Sequence, residues 1–354
     1  MNRQKLTDFL VLTIIGLIGG GVALYLGAPM PFLLGGLALS ACLTIAIYAQ
    51  TGREVWYPQP LRRSFVAVIG VMIGASFSPA FMDVLLTLWL SMSVMLLFVV
   101  TAHALNYQIL RRFGGYDRVT ALFGGMPGGL VEAVTMGEAA GGDAKTLSVQ
   151  HFARIVIVVV TVPLLFFLWS GQTVGSAAGQ SLAVEGYGLA DLGFVAVIAF
   201  VGLWLGPRIR LPAGHLMGPL LLSAIVHASG VYSLNSPVWL LSAAQLVVGV
   251  GLGALFAGAT GRQLLRAFGF AAVMVSAMLM IAMGFALTLS QWTGLPIDAL
   301  FISFAPGGVT EMGLIALSLG VSPVVVAAHH LVRIIMTVSV VNFVLKSPGF
   351  KKRP

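Results

Sequence analysis

Apolar stretches long enough to cross a bilayer recur along the whole chain. Only 8% of the 354 residues are charged, whereas about a quarter are charged in a typical soluble domain. The sequence therefore predicts an all-α polytopic membrane protein, and it argues against a soluble enzyme or a DNA-binding protein. Since roughly 20 apolar residues suffice for one helical span, twelve candidate segments can be counted, at 9–26, 31–49, 64–82, 84–105, 119–140, 147–170, 190–206, 213–231, 237–257, 267–292, 299–320 and 323–345.

The placement of the basic residues predicts how many of these segments cross. If all twelve cross, twelve basic residues lie inside and five outside. If 119–140 and 299–320 instead enter and leave on the same side as re-entrant hairpins, seventeen of the nineteen lie inside and none outside. The positive-inside rule favours the second arrangement. We therefore expect ten crossings, two re-entrant hairpins and cytoplasmic N- and C-termini.

Internal repeats at an offset of 179 residues indicate a duplicated chain. The matches are Pro127-Gly128-Gly129-x-x-Glu132 with Pro306-Gly307-Gly308-x-x-Glu311, His151-x-x-Arg154 with His330-x-x-Arg333, and Gly70-x-x-x-Gly74 with Gly249-x-x-x-Gly253. The glycine pairs are small-residue patterns that let membrane helices pack closely. The predicted organisation is a first membrane repeat at 1–175, a second at 186–346, and a basic cytoplasmic tail at 347–354.

Each half is predicted to have five transmembrane helices and one re-entrant Pro-Gly-Gly hairpin. Because five is odd, the second half would enter the membrane from the opposite face, so the halves would be inverted repeats. This arrangement is typical of secondary transporters, whose binding sites lie near the bilayer midplane where broken helices meet.

The two Pro-Gly-Gly elements predict helix breaks inside apolar segments. Proline removes a backbone donor and glycine permits unusual dihedral angles, so half-helices are expected to begin after Gly129 and after Gly308. Glu132 and Glu311 would then lie in the first turns of those half-helices. Each carboxylate either caps its own helix or binds a proton, a cation or the solute, and the cost of a carboxylate inside a membrane favours the second interpretation.

The His-x-x-Arg pairs place two polar side chains on one helix face. Either each Arg forms an ion pair with a hairpin Glu, or it binds a carboxylate-like anion beside the half-helix amino ends. No metal site and no cofactor are predicted, while H⁺ or Na⁺ as a coupling ion and an oligomeric state are left open. The predicted helix-breaking residues are Pro127 and Pro306, and the predicted substrate-binding residues are Glu132, Glu311, Arg154, Arg333, His151, His330, Gly128, Gly129, Gly307 and Gly308.

With these duplicated motifs and a length near 350, the sequence resembles the bacterial AbrB-type duplicated membrane protein family over essentially the whole chain. Members carry the labels "AbrB family transcriptional regulator" and ammonia monooxygenase, which imply regulation of gene expression or an oxygenase activity. The residues favour neither as a direct activity. DNA binding needs an exposed basic element, and six scattered His with one Cys provide no convincing redox-metal site.

The sequence thus predicts a non-enzymatic, multi-pass protein of the bacterial inner membrane. Its expected function is secondary transport of a small solute through a midplane site, and the half-helix amino ends favour an organic anion. The alternative is a membrane sensor or regulator that acts indirectly on gene expression, and a monooxygenase is the third candidate. The expected partners are the lipid bilayer and the solute, without direct contact to nucleic acid.

Overall fold

The structure is a computed structural model that describes residues 3–28, 30–75, 77, 88–170, 187–209, 211, 213–258 and 260–346. Within these ranges the regular secondary structure is entirely helical. The predicted tail at 347–354 lies outside the described residues. The α-helices are α1 (Arg3–Tyr25), α2 (Pro31–Thr51), α3 (Gln59–Gly74), α4 (Trp89–Gln108), α5 (Arg118–Gly124), α6 (Leu130–Ala139), α7 (Ala144–Ser170), α8 (Leu189–Arg208), α9 (Gly214–Ala228), α10 (Val238–Gly253), α11 (Gly261–Thr293), α12 (Ile297–Phe304), α13 (Val309–Leu319) and α14 (Pro323–Leu345).

Eight stretches of the described chain are helical, long and apolar enough to cross a membrane. They are Arg3–Tyr25, Pro31–Thr51, Trp89–Phe113, Ala144–Trp169, Leu189–Arg208, Trp239–Phe256, Gly261–Thr293 and Pro323–Leu345. The chain is therefore an all-α, multi-pass membrane protein. Two of the ten predicted crossings, 64–82 and 213–231, correspond in the described residues to helices of 16 and 15 residues. These are shorter than the roughly 20 residues of a full span, so the number of ten crossings stays a prediction.

Both segments predicted as hairpins are broken in the middle. We call α5 with α6 the first broken segment and α12 with α13 the second. Proline disfavours the helical conformation of the residue that precedes it. Ala305, which precedes Pro306, is accordingly extended, with ψ 141°. Gly129 takes a left-handed φ of 68° immediately before α6. The predicted starts of the half-helices after Gly129 and Gly308 are confirmed, while the re-entrant path stays a prediction.

The helix bounds repeat at the offset of the sequence motifs. The starts of α10, α12, α13 and α14 each lie 179 residues after the starts of α3, α5, α6 and α7. For example, α6 begins at Leu130 and α13 at Val309. Local structure thus follows the duplication, whereas the inversion of one half relative to the other stays a prediction.

The helices form two compact units, and neither unit corresponds to one half of the sequence. The first unit contains α1, α2 and α3 from the first half with α8, α9 and α10 from the second. The second unit contains α4, α5 and α6 with α11, α12 and most of α14, and α7 and α13 are divided between the units. Each unit therefore combines corresponding elements of both halves.

Close glycine contacts join the halves inside the first unit. A Cβ atom on Gly70 of α3 would lie 2.6 Å from the carbonyl oxygen of Leu216 in α9. Gly249 of α10 meets the carbonyl oxygen of Leu33 in α2 in the same way, and the second glycine of each pattern meets the same helix one turn later. The predicted packing role of both Gly-x-x-x-Gly patterns is confirmed.

Candidate functional site

The first broken segment leaves backbone carbonyls without helical donors. The last carbonyls of a helix have no partner within that helix, and α5 ends at Gly124. Four buried side chains of α4 and α7 donate to the carbonyls around this break. The bonds are His103 Nε2 to Leu122 O (2.8 Å), Asn106 Nδ2 to Gly125 O (3.1 Å), His151 Nε2 to Phe123 O (3.0 Å) and Arg154 Nη1 to Met126 O. An interruption of the helix in an apolar interior is tolerated because these side chains replace the missing donors.

In the second broken segment, Arg333 of α14 makes the corresponding contacts. It donates from Nη1 to Ala305 O and from Nη2 to Gly307 O. The residue 179 positions after Asn106 is Phe285, which stacks on Phe304 with ring centroids 5.7 Å apart. An aromatic contact therefore takes the place of the amide-to-carbonyl bond of the first segment.

The two arginines do not use the partners that an ion-pair interpretation expects. Arg154 donates to Met126 O, and Arg333 donates to Ala305 O and Gly307 O, all of which are backbone carbonyls. Arg154 nevertheless lies close enough to Glu311 for an electrostatic interaction. The arginines thus hold the broken backbone in place.

Residues of both broken segments come together in the second unit. A Cβ atom on Gly128 would lie 3.2 Å from Arg333 Nε, so the arginine of one half lies against the Pro-Gly-Gly loop of the other. Arg154 and Arg333 also interact electrostatically with each other. We call Gly128, Arg154, Glu311 and Arg333 the arginine cluster.

The two predicted glutamates lie in the first turns of their helices, as expected. Each carboxylate folds back toward the glycine before its helix, and a Cβ atom on Gly129 would lie 3.1 Å from Glu132 Oε2. Glu311 Oε2 lies in the same way beside Gly308. This geometry favours the capping interpretation for both, and the buried Glu311 additionally faces Arg154.

Several buried polar atoms of the predicted site residues have no hydrogen-bond partner among the described residues. His151 donates from Nε2, whereas His330 donates from Nδ1 to Val326 O at 2.9 Å. A carbonyl only accepts, so Nδ1 of His151 is an acceptor, and it has no partner among the described residues. The other nitrogen of His330 lies near the Ala305 carbonyl. The Nε–H groups of Arg154 and Arg333 are unpaired as well. The site therefore offers two buried donors and one buried acceptor to a ligand.

Gln150 and His329 occupy equivalent positions in the two repeats, and each forms a contact between two helices of the second unit. Gln150 Nε2 donates to Ala267 O of α11 at 3.3 Å, and His329 Nε2 contacts the Ser91 hydroxyl of α4 at 2.9 Å. Each bond joins a helix of one half to a helix of the other.

Sequence reasoning missed His103 and Asn106, because neither has a polar counterpart in the second half. The available signal was their spacing of three residues on an otherwise apolar helix, which places both on one face. No group of three His, Cys, Asp or Glu side chains that could hold a metal ion is found in the part of the chain that the structure describes.

The chain matches the model of a known protein family over most of its length. The model of the AbrB family, described as "Transition state regulatory protein AbrB", matches residues 39–347. The chain belongs to the AbrB family. The resemblance inferred from the duplicated motifs is thereby confirmed, and the matched region includes every residue of the arginine cluster.

Two relatives of this AbrB-family protein are similar over most of their length. The chain is 26% identical over 353 residues to "Uncharacterized protein YhjN" of Bacillus subtilis (strain 168), with 92% of this chain and 89% of that protein covered. It is 22% identical over 280 residues to "Putative regulator AbrB" of Escherichia coli (strain K12), with 79% and 80% covered.

Proposed function

We propose that this AbrB-family protein is a secondary transporter of a small organic anion in the bacterial inner membrane. In this proposal two inverted repeats, each with a re-entrant hairpin, form one site at the arginine cluster. The observation that carries it is the pair of buried arginines, Arg154 and Arg333, which interact at two helix breaks and keep unpaired Nε–H groups.

Charge supports an anionic solute. Two guanidinium groups repel each other in an apolar interior, where charges are expensive unless they are paired. Glu311 and the carbonyl oxygens of the breaks compensate part of this charge. A carboxylate would compensate more of it and would accept hydrogen bonds from the Nε–H groups, a geometry that suits arginine.

The histidines support H⁺ as the coupling ion. A proton on the free nitrogen of His151 would add positive charge beside Arg154, and one on His330 would do so beside Arg333. Each protonation becomes less costly when an anion is bound. Since such coupling is reciprocal, the proton and the anion would bind together and leave together.

The architecture and the charge distribution agree with this proposal. Broken helices that meet in pairs from two repeats are typical of secondary transporters. In this proposal the basic residues outside the arginine cluster lie on the cytoplasmic side, as the positive-inside rule favours, and both termini would lie in the cytoplasm.

A second candidate is a membrane sensor that regulates gene expression indirectly. It is favoured by the family description, "Transition state regulatory protein AbrB", and by the name of the E. coli relative, "Putative regulator AbrB". A sensor would use the arginine cluster to bind the same anion without carrying it across.

A binding experiment tests the site first. Mono-, di- and tricarboxylates, with amines as a comparison set, are screened for an increase in the unfolding temperature of the purified protein. Gly128→Ala would push a methyl group against Arg333 Nε, so we expect this variant to lose at least tenfold in apparent affinity for the stabilising carboxylate. Gly269→Ala is the matched control, because a Cβ atom there meets nothing within 4 Å. Equal loss in both variants, or stabilisation by amines alone, would contradict the proposed site.

A flux experiment then separates the transporter from the sensor. Proteoliposomes are given the stabilising carboxylate in radiolabelled form with an inward proton gradient. We expect accumulation that collapses when a protonophore is added and that is reduced in Gly128→Ala but not in Gly269→Ala. Binding without accumulation would overturn transport and support the sensor.

A further inference from the structure

A polar cavity apart from the arginine cluster lies in the second unit, at the start of α7 and α11. Its volume is about 160 Å³, and its polar lining consists of Tyr116, Lys145, Thr146, Gln263 and Arg266. None of these residues belongs to the arginine cluster or to the broken helices. The sequence suggested only a topological role for the two cations, as basic residues on the cytoplasmic side.

Arg266 is held in position by contacts that leave its charge uncompensated. Its Nη2 donates to Gly114 O, and its guanidinium lies over the Tyr116 ring at 4.8 Å from the centroid. Both contacts orient the guanidinium without adding negative charge. Within the described residues, neither Arg266 nor Lys145 forms an ion pair with a carboxylate.

The two acidic groups next to the lining residues along the chain, Asp117 and Asp143, both accept from backbone N–H groups at helix starts. Asp117 accepts from Val119 and Thr120, each at 2.9 Å. Asp143 accepts from the backbone N–H groups of Lys145 (3.1 Å) and Thr146 (3.3 Å) and from the Thr146 hydroxyl (2.5 Å). The Thr146 hydroxyl bond holds the pKa of this carboxyl below its usual range. Asp143 thus caps α7, and its oxygens are directed at the helix start rather than at Lys145.

The position of the cavity indicates the source of a ligand. Helices α7 and α11 are both long enough to span a bilayer, and the cavity lies at the first turns of both. Tyr is enriched at the level of lipid headgroups, and Lys and Arg side chains near helix ends extend to the same level. Basic pockets between transmembrane helices bind anionic headgroups.

We propose that this cavity binds a phosphate-type anion, either the headgroup of an anionic phospholipid or free phosphate, between Lys145 and Arg266. The bound anion joins α7 of the first half to α11 of the second half. It also lies close to the first broken segment, whose carbonyl Phe123 O accepts from His151. Tyr116 donates to Gln150 Oε1 at 3.4 Å, and Gln150 precedes His151 on α7.

The test uses the purified full-length protein and follows its unfolding temperature. The probes are inorganic phosphate, a short-chain phosphatidylglycerol, and a phosphatidylcholine of the same chain length. We expect a phosphate-type anion to raise the unfolding temperature by several degrees and phosphatidylcholine to have little effect. Stabilisation by phosphatidylglycerol alone identifies a lipid headgroup as the ligand. Stabilisation by phosphate alone, or by both probes, shows that the site recognises the phosphate group itself.

Three single variants test the assignment of residues. Arg266→Gln and Lys145→Gln should each raise the anion concentration needed for half of the stabilisation by tenfold or more. Arg262→Gln is the matched control, since Arg262 is exposed on the same helix one turn earlier and does not line the cavity. Lys145→Gln keeps the test valid if Arg266→Gln fails to fold. No stabilisation by any anion, or the same loss in Arg262→Gln as in Lys145→Gln, would overturn the proposal.

Discussion

The two broken segments have matching helix starts but are stabilised by different chemistry. In the first, four side chains donate to four carbonyl oxygens. In the second, Arg333 donates to two carbonyl oxygens, and Phe285 packs on Phe304. The duplicated arginine thus has the same role in both halves, while the unduplicated positions have diverged. We infer that the second segment depends on a single side chain more strongly than the first does.

Replacement of Arg333 should cause the largest loss in the free energy of unfolding. Arg333→Met keeps a long side chain but removes two hydrogen bonds from a charged group, each of which contributes about 1.5–3 kcal/mol. Gly307 O is then left without a donor, whereas Ala305 O keeps the backbone N–H of Gly307. We expect a loss of roughly 2–5 kcal/mol in the free energy of unfolding. The measurement is the unfolding temperature of the purified protein in one detergent. Arg154→Met removes one hydrogen bond to a carbonyl, so its loss in the free energy of unfolding should be about half as large. An equal or larger loss would contradict the inference that the second segment depends more strongly on its arginine.

Asn106→Leu should cause the next largest loss in the free energy of unfolding. It removes the amide that donates to Gly125 O and leaves that buried carbonyl unpaired, at an expected cost of about 1–3 kcal/mol. Ser93→Ala is a control on the same helix, because Ser93 is exposed and its hydroxyl bonds only to Trp89 O of its own helix. If the unfolding temperature of Asn106→Leu matched that of Ser93→Ala, the amide would have no capping role.

Phe285→Leu tests the aromatic contact that replaces this amide. Phe98 adds an edge contact to Phe304 at 5.4 Å, so part of the aromatic cluster survives the change. An aromatic pair contributes about 0.5–1.5 kcal/mol beyond its buried area, and we expect a loss near 1 kcal/mol in unfolding experiments. Phe285→Asn, which copies the first half, should be more destabilising than Phe285→Leu, and the reverse order would contradict an apolar role for this position.

The smallest expected changes in the free energy of unfolding come from His151 and His330. These two histidines donate from different ring nitrogens, Nε2 in His151 and Nδ1 in His330. A glutamine amide reaches about as far as Nε2 and an asparagine amide about as far as Nδ1. His151→Gln should therefore be more stable than His151→Asn, whereas His330→Asn should be more stable than His330→Gln. Each difference is expected to be about 1 kcal/mol, the net value of one hydrogen bond. The same order of stability at both positions would show that the histidines bond alike.

The sequence predicted the local structure of the site well. Proline and glycine act on their own backbone, so the positions of the breaks and the starts of α6 and α13 could be read directly. The His-x-x-Arg spacing likewise placed both side chains near the start of a long apolar helix, as α7 and α14 confirm.

The partners of these side chains could not be predicted in the same way. Backbone carbonyls are present at every residue, so nothing in the sequence marks Met126 or Ala305 as the acceptors of Arg154 and Arg333. The capping role of Asn106 also required knowledge of which helix lies beside the break. The division into compact units depends on contacts across the two halves, and the repeat bounds at 1–175 and 186–346 do not reveal it.

The mixed origin of each compact unit has a consequence for biosynthesis. Gly249 packs on Leu33, which lies 216 positions earlier in the chain. Since chains are synthesised at about 5–20 residues per second, roughly 10–40 s pass before the second partner of this contact exists. During that interval α1, α2 and α3 present their contact surfaces to lipid or to other proteins in the membrane. Neither unit can close until most of the second half is inserted, so a ribosome that stops in the middle of the message releases two incomplete units rather than one finished domain.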